Sequence, residues 1–202
     1  MKEISVPKVK GFVHDQSNTI CYLVYDDVNR KAAIIDSVLD FDPDTCSTGT
    51  GFAEKIVQAA SENSLEIEWI LETHCHADHL SASQFLKKRF PQAKSGIGGG
   101  ITRTQETFRK IYNLDIAADG SQFDCLFADG DSFSIGPNLP VKVIATPGHT
   151  MDSVSYYVAE DSIFVGDTVF YPDSGTARCD FPNGDAGQLW KSASCDHFGF
   201  PF

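Results

Sequence analysis

The stretch Leu71 to Leu80, LETHCHADHL, carries His74, His76, Asp78 and His79 within a few positions of one another. Three imidazoles crowded this closely repel one another when protonated. A metal ion removes that conflict by accepting their lone pairs. The apolar, β-prone run Ile67 to Leu71 predicts a strand, and in an extended backbone residues two apart point the same way. His74 and His76 are therefore expected to face one ion together. A helix predicted from about Leu80 to Phe90, stopped by Pro91, would bring Asp78 and His79 to the pocket from another side. Imidazole and carboxylate suit zinc or iron, whereas calcium prefers oxygen alone. Helix capping would explain Asp78 but not three clustered histidines in a chain that has only 6.

Two later stretches offer more donors of the same kind. In Thr146-Pro147-Gly148-His149-Thr150 a histidine sits in a Pro-Gly turn directly after a strand-like run, and in Val165-Gly166-Asp167-Thr168 an aspartate ends the following hairpin. Strand ends aim functional groups because the strands behind them are rigid. Asp36 also ends a predicted strand, where it reads either as a turn residue or as a partner that orients a histidine. His14 has no motif around it and reads as incidental. Cys75 reads as a small filler between ligands.

These candidates sit in a chain of 202 residues, long enough for a sizeable core and expected to form one domain over 1–202. A net charge of -12 opposes lasting contact with nucleic acid phosphates or an anionic membrane, so the expected partner is a small molecule. The N-terminal MKEISVPKVKGF has no apolar signal core, and no run approaches the roughly 20 apolar residues of a membrane span. A cytoplasmic protein is expected. The 6 cysteines include no C-x-x-C pair and fit reduced thiols.

The elements that must position these groups alternate strands with helices. Thr19 to Tyr25 and Lys31 to Ile35 predict a hairpin, residues 37–51 a loop, and Phe52 to Asn63 a helix burying Phe52, Ile56, Ala59 and Ala60. The run Gly96 to Gly100 lacks either nucleotide fingerprint and reads as a flexible turn. Thr102 and Gln105 suggest a capping box for a helix through Tyr112. Strands follow at Cys125 to Ala128, Ser132 to Ile135, Val141 to Ala145, Ser153 to Val158 and Ser162 to Val165. Asp185 suggests the N-cap of a helix starting near Gly187. The class is α/β (α+β), with mixed or antiparallel sheets and helices outside.

With H-x-H-x-D-H, the Gly-His turn and the Gly-Asp strand end in this order, the chain resembles the metallo-β-lactamase superfamily. The resemblance implies an αββα sandwich of two mixed sheets with outer helices and the metal at the sheet edges. The segment Tyr171 to Ala186, YPDSGTARCDFPNGDA, together with THCHADH and TPGHT, is similar to the persulfide dioxygenase branch, which includes β-lactamase-hydrolase-like proteins. That branch implies one Fe(II) per chain on His74, His149 and Asp167, with Asp78 and His79, and also His76, in supporting catalytic roles. The implied reaction oxidises glutathione persulfide with dioxygen to sulfite, a sulfide detoxification, and Arg178 is then expected to bind a glutathione carboxylate.

The rival within the same fold resembles glyoxalase II, a dinuclear Zn(II) hydrolase of glutathione thioesters. It would use His74, His76, His149 and Asp167 for one metal, and Asp78, His79 and the shared Asp167 for another. The histidine that completes the second site in those hydrolases has no counterpart here, since His197 follows Asp167 too early. The last helix and strand of the family are expected to be missing. That expectation opens a third reading, a metal-binding but inactive truncated homologue, with exposed apolar surface and possible homo-oligomers through an uncovered sheet edge.

Overall fold

The structure is a computed structural model describing residues 5–194, so Cys195 and His197 lie outside the described residues. It opens on β1 (Lys8–His14), a strand not anticipated from the sequence, which pairs antiparallel with β2 (Thr19–Tyr25). The apolar alternation of β1 is weak because most of its residues face solvent. β3 (Lys31–Ile35) completes the predicted hairpin with β2.

Residues 37–51 are not a loop. They form a second hairpin, β4 (Val38–Asp42) and β5 (Ser47–Gly49), paired antiparallel. The polar residues that suggested coil are its turn chemistry: the Asp42 carboxylate accepts the Asp44 N–H at 2.9 Å and the Thr45 hydroxyl at 2.7 Å. The Asp40 carboxylate accepts the Phe52 N–H at 3.0 Å, satisfying a free donor at the start of α1 (Gly51–Glu62). The predicted apolar face of α1 is buried.

β6 (Glu66–Leu71) runs parallel to β3 and leads into the histidine loop. The helix after that loop begins later than predicted. Leu80 and Ser81 form β7 (Leu80–Ser81) against β4, and α2 (Ser83–Arg89) starts only after this pairing ends. The glycine run is likewise not a flexible turn. Lys94–Gly98 is β8, and Gly96 and Gly98 lie in register with Cys125 and Phe127 of β9 (Cys125–Phe127). Glycine is needed there for close approach: a Cβ on Gly98 would lie 2.2 Å from the Asp152 carbonyl oxygen.

α3 (Ile101–Tyr112) forms without the predicted capping box. Gln105 instead accepts the Gly120 N–H at 3.0 Å, and Thr102 donates to the Gly99 carbonyl at 3.3 Å. β10 (Ser132–Ile135), β11 (Leu139–Ala145), β12 (Val154–Val158) and β13 (Ser162–Phe164) follow as an antiparallel meander. A short 3-10 turn spans Gly166–Thr168. α4 (Ala186–Ala193) is capped as predicted, the Asp185 carboxylate accepting the Gln188 N–H at 2.9 Å.

The larger sheet has the order β1-β2-β3-β6-β8-β9 and is mixed; the smaller has the order β10-β11-β12-β13. One core lies between the larger sheet and α1 and α2, around Leu23, Ile34, Ile56, Ile70 and Leu86. A second joins the two sheets through Val24, Ile35, Leu71, Val143 and Tyr156. The smaller sheet is antiparallel throughout, as the predicted hairpins allowed, where the family resemblance implied a mixed one. Leu139 to Lys142 of β11 alternate buried and exposed, as hairpin-linked strands do, while Val154–Val158 is buried except at Tyr157. Among the described residues no helix is long and apolar enough to cross a membrane. Trp190 on α4 is 75% exposed.

Candidate metal centre

Two neighbouring parallel strands of the larger sheet deliver the first part of the site. Asp36 directly follows β3 and Glu72 directly follows β6, and the Asp36 N–H donates to the Leu71 carbonyl at 2.9 Å, so both strand ends open at one level. Asp36 is both of the things its position suggested. Its φ of 54° makes the turn, and its carboxylate organises the histidine loop. It accepts the Thr73 N–H at 2.7 Å and the Thr73 hydroxyl at 2.8 Å.

This pairing fixes the first histidine. With its proton given to Asp36, the Thr73 oxygen, 3.0 Å from His74 Nδ1, acts as acceptor, and the Nδ1–H is the donor. The lone pair of His74 is then on Nε2, which is buried and has no hydrogen-bond partner. Burial, with His76 beside it, pushes the His74 pKa well below that of ordinary imidazole, so the ring is neutral as a ligand must be.

The smaller sheet supplies the other two groups of this cluster. His149 follows β11, and its Nδ1 donates to the Arg178 carbonyl at 2.7 Å, leaving Nε2 as the free acceptor. α4 braces the turn: the Asp185 N–H donates to the Gly148 carbonyl at 2.8 Å and the Ser192 hydroxyl to the Pro147 carbonyl at 2.7 Å. Asp167 lies in the 3-10 turn after β13, with Oδ2 3.4 Å from His149 Nε2 and 3.8 Å from His74 Nε2. The glycine before it, at φ 51°, is obligatory, because a Cβ on Gly166 would meet the Thr73 hydroxyl at 2.3 Å. Donor atoms of His74, His149 and Asp167 all lie within 4.8 Å of one another.

A second cluster belongs to one loop. Donor atoms of His76, Asp78 and His79 also fall within 4.8 Å of one another. The structure thus divides the two histidines expected to share an ion. Their rings are close, with centroids 4.2 Å apart, but His76 Nε2 lies 3.1 Å from both Asp36 Oδ1 and Glu72 Oε2. Burial opposes protonation of His76, yet Asp36 and Glu72 together raise its pKa well above the usual value. Burial would likewise raise the Asp36 pKa, but His76 holds it below the ordinary carboxylate value. Asp78 accepts the Thr19 hydroxyl at 3.0 Å, and His79 Nε2 is buried without a partner.

Several contributors escaped the sequence reading. Glu72 accepts the Ser81 hydroxyl at 2.6 Å and so joins the two ends of the histidine loop. It lies two positions before His74, but just outside β6, so no strand period announced it. Asp152, buried near the Gly-His turn, accepts the Cys75 N–H and the Thr104 hydroxyl, and nothing in its neighbourhood announced that role. His14 is not incidental, because it bonds Ser17 at 2.8 Å and pairs with Asp40 at 3.3 Å. The Cys75 thiol is pushed up to about 12 by desolvation and by Asp152 and Glu72, so it is no thiolate at neutral pH. Arg178 donates from Nη2 to Asp180 Oδ2 at 2.7 Å, and its guanidinium lies 4.9 Å from the centre of the Phe181 ring.

Two imidazoles with a carboxylate, and a buried Nε2 otherwise orphaned, fit a divalent metal of the zinc or iron type. Residues 15–195 match the family described as the Metallo-beta-lactamase superfamily. The chain is 52% identical to a Dictyostelium discoideum protein named Glyoxylase B2, over 92% of this chain and 64% of that one. It is 30% identical to the human mitochondrial persulfide dioxygenase ETHE1, over 92% of this chain and 61% of that one. The chain thus spans less than two thirds of the length of these relatives. Among solved structures it is similar to ETHE1 from Myxococcus xanthus, with a TM-score of 0.74 and 30% identity, covering 96% of this chain and 71% of that one. With strand ends from two sheets meeting at a set of metal donors, and that match across most of its length, the chain belongs to the metallo-β-lactamase superfamily.

Proposed function

We propose that the protein is a mononuclear iron dioxygenase of persulfides, with glutathione persulfide and dioxygen as substrates. The observation that carries this reading is the separation of roles between the histidines. His74 Nε2 is free beside His149 and Asp167, while His76 Nε2 is taken up by Asp36 and Glu72. His74, His149 and Asp167 would hold one Fe(II), the two-histidine, one-carboxylate set of non-haem oxygenases. Iron bound there supplies the electron chemistry that dioxygen needs to react with a persulfide sulfur.

The chain's own groups position and polarise. The Thr73 hydroxyl and the Arg178 carbonyl hold the two rings with Nε2 facing inward. His79, whose buried Nε2 has no hydrogen-bond partner, would be the group that exchanges a proton with the departing glutathione sulfur. Arg178 binds a glutathione carboxylate by exchanging Asp180 for it, one bidentate carboxylate for another. Phe181 keeps it near the site, since that ring lies under the guanidinium and 5.4 Å from the His149 ring. Arg178→Lys keeps the charge but loses the fork. It should raise KM and lower kcat/KM about ten- to a hundredfold with metal content unchanged.

A second reading, a dinuclear zinc hydrolase of glutathione thioesters, is favoured by one observation: the buried, unpartnered His79 Nε2 in the cluster with His76 and Asp78. Oxygen-electrode traces with glutathione persulfide, run beside S-lactoylglutathione hydrolysis and metal analysis, separate the two. Oxygen consumption with about one iron per chain supports the dioxygenase. Two zinc ions per chain with thioester hydrolysis would overturn it.

A further inference from the structure

The run Gly96 to Gly100 and the buried Asp152 have no part in the metal chemistry described above, yet they meet beside it. Asp152 lies three residues beyond His149, in the connection from β11 to β12. The glycines let this connection press against the larger sheet: a Cβ on Gly98 would lie 2.2 Å from the Asp152 carbonyl oxygen, and one on Gly100 2.2 Å from that of Met151. Thr104, near the start of α3, then reaches the Asp152 side chain and donates its hydroxyl proton to it.

Residues 152–156 bond to the backbone on both sides of His74. The Val154 N–H donates to the Thr73 carbonyl at 2.8 Å, which pins the peptide before His74, and the Asp152 carboxylate accepts the Cys75 N–H, which pins the peptide after it. One peptide further back, the Tyr156 hydroxyl donates to the Glu72 carbonyl at 2.9 Å. Peptide units are planar, so holding both of those that flank His74 fixes the direction of its side chain relative to the smaller sheet. The Thr146 N–H donates to the Ser153 carbonyl at 2.9 Å, so His149 and Asp152 lie in one closed loop of that sheet.

Asp152 is 1% exposed, and the two donors that meet its carboxylate, an amide and a hydroxyl, are neutral. Burying a carboxylate against neutral donors costs folding free energy, so what it holds, rather than stability, is its contribution. Its two oxygens divide the work: Oδ2 takes the histidine loop and Oδ1 takes α3. The helix is a stiff mount, and through Thr104 it limits rotation of the carboxylate away from Cys75.

We propose that Asp152 is a positioning residue for the metal centre: through the Cys75 N–H it sets His74 Nε2 against His149 Nε2, and Gly98, Gly100 and Thr104 form its seat. It acts through the backbone and touches neither metal nor substrate. The requirement is for an acceptor at that place, not for a charge. The proposal rests on His74, His149 and Asp167 being the metal set, and it holds whether that set serves an oxygenase or a hydrolase.

The test compares Asp152→Ala, Asp152→Asn, Thr104→Val and Thr104→Ser by metal affinity in competition with a chelator, by the ligand-field spectrum of the cobalt(II)-loaded protein, and by thermal unfolding of the metal-free protein. Asp152→Ala should weaken metal binding about ten- to a hundredfold and shift the cobalt(II) bands. Asp152→Asn should stay within about threefold of wild type, because its carbonyl accepts the Cys75 N–H while its amide donates to the Thr104 hydroxyl. Thr104→Val should fall between them, and Thr104→Ser should return to wild type. Where Asp152→Ala does not fold, Thr104→Val and its serine rescue carry the same comparison. Lower unfolding temperatures with affinity and spectrum unchanged would make Asp152 a residue of the fold alone and overturn the proposal. Asparagine as weak as alanine would overturn it too, by showing that charge acts rather than hydrogen bonding. Metal retained by His74→Ala would overturn the three-donor set itself, and the proposal with it.

Discussion

The two donor clusters differ in where their parts come from. His74, His149 and Asp167 arrive from the ends of three strands in two sheets, and each imidazole has its outer nitrogen fixed by an oxygen of another residue. His76, Asp78 and His79 come from one loop. Their anchors are uneven: buried carboxylates for His76, the hydroxyl of Thr19 for Asp78, and the adjacent Leu80 carbonyl for His79. Cores on both sides of the larger sheet hold the first cluster in place. The second rests on side-chain bonds from its loop to Asp36, Glu72 and Thr19. A preformed set binds metal with little ordering cost, so the first cluster is expected to be the stronger site.

The sharpest way to break this contrast is to remove donors one at a time. His74→Ala, His149→Ala and Asp167→Ala should each leave less than about a tenth of the wild-type metal after dialysis, whereas His79→Ala should keep most of it. Metal analysis by plasma mass spectrometry reads this directly. Equal loss in all four variants would mean that the clusters act as one dinuclear site.

A smaller effect is expected where the rigidity itself is attacked. Thr73→Val removes the hydroxyl that links Asp36 to His74 while keeping the side-chain shape. It should weaken metal binding about ten- to a hundredfold, and Thr73→Ser should restore it. Competition with a chelator gives the affinity. If serine fails to rescue, the threonine methyl rather than the hydroxyl is what matters, and the account of His74 is wrong.

Least is expected from the loop cluster's outer anchor. Thr19→Val deletes the bond to Asp78, which is solvent-exposed, and should cost under about 1 kcal/mol in thermal or denaturant unfolding. Metal content should not change. A large loss of metal would show that the β1–β2 turn supports the centre more firmly than an exposed hydrogen bond allows.

How much could be read without coordinates differed by region. The β2–β3 hairpin, α1, β6 and the β10–β13 meander follow from periodicity and turn residues, because each buries one face against a continuous core. The β4–β5 hairpin and β8 did not. Their Asp, Ser, Thr and Gly content matches coil, and they are strands because β5 and β7 pair with β4, and β6 and β9 with β8. α2 starts late for the same reason, since Leu80 and Ser81 take extended pairing before the helix can begin.

The sequence by itself determined the donor types, their order along the chain and the turns that carry them. Those depend on residue identity and local backbone preference: a histidine run after an apolar strand, a histidine in a Pro-Gly turn, an aspartate after a glycine that tolerates φ 51°. Only the tertiary structure decided which donors meet. Sequence spacing paired His74 with His76, but burial beside Asp36 and Glu72 took the second ring's nitrogen and gave the first to His149 and Asp167. Asp36 stood open in the sequence between turn and histidine partner, and nothing there told which atoms Thr73, Glu72 and the Arg178 carbonyl would meet. Hydrogen bonding of a buried nitrogen is a property of what packs around it, and that packing exists only once both sheets have closed.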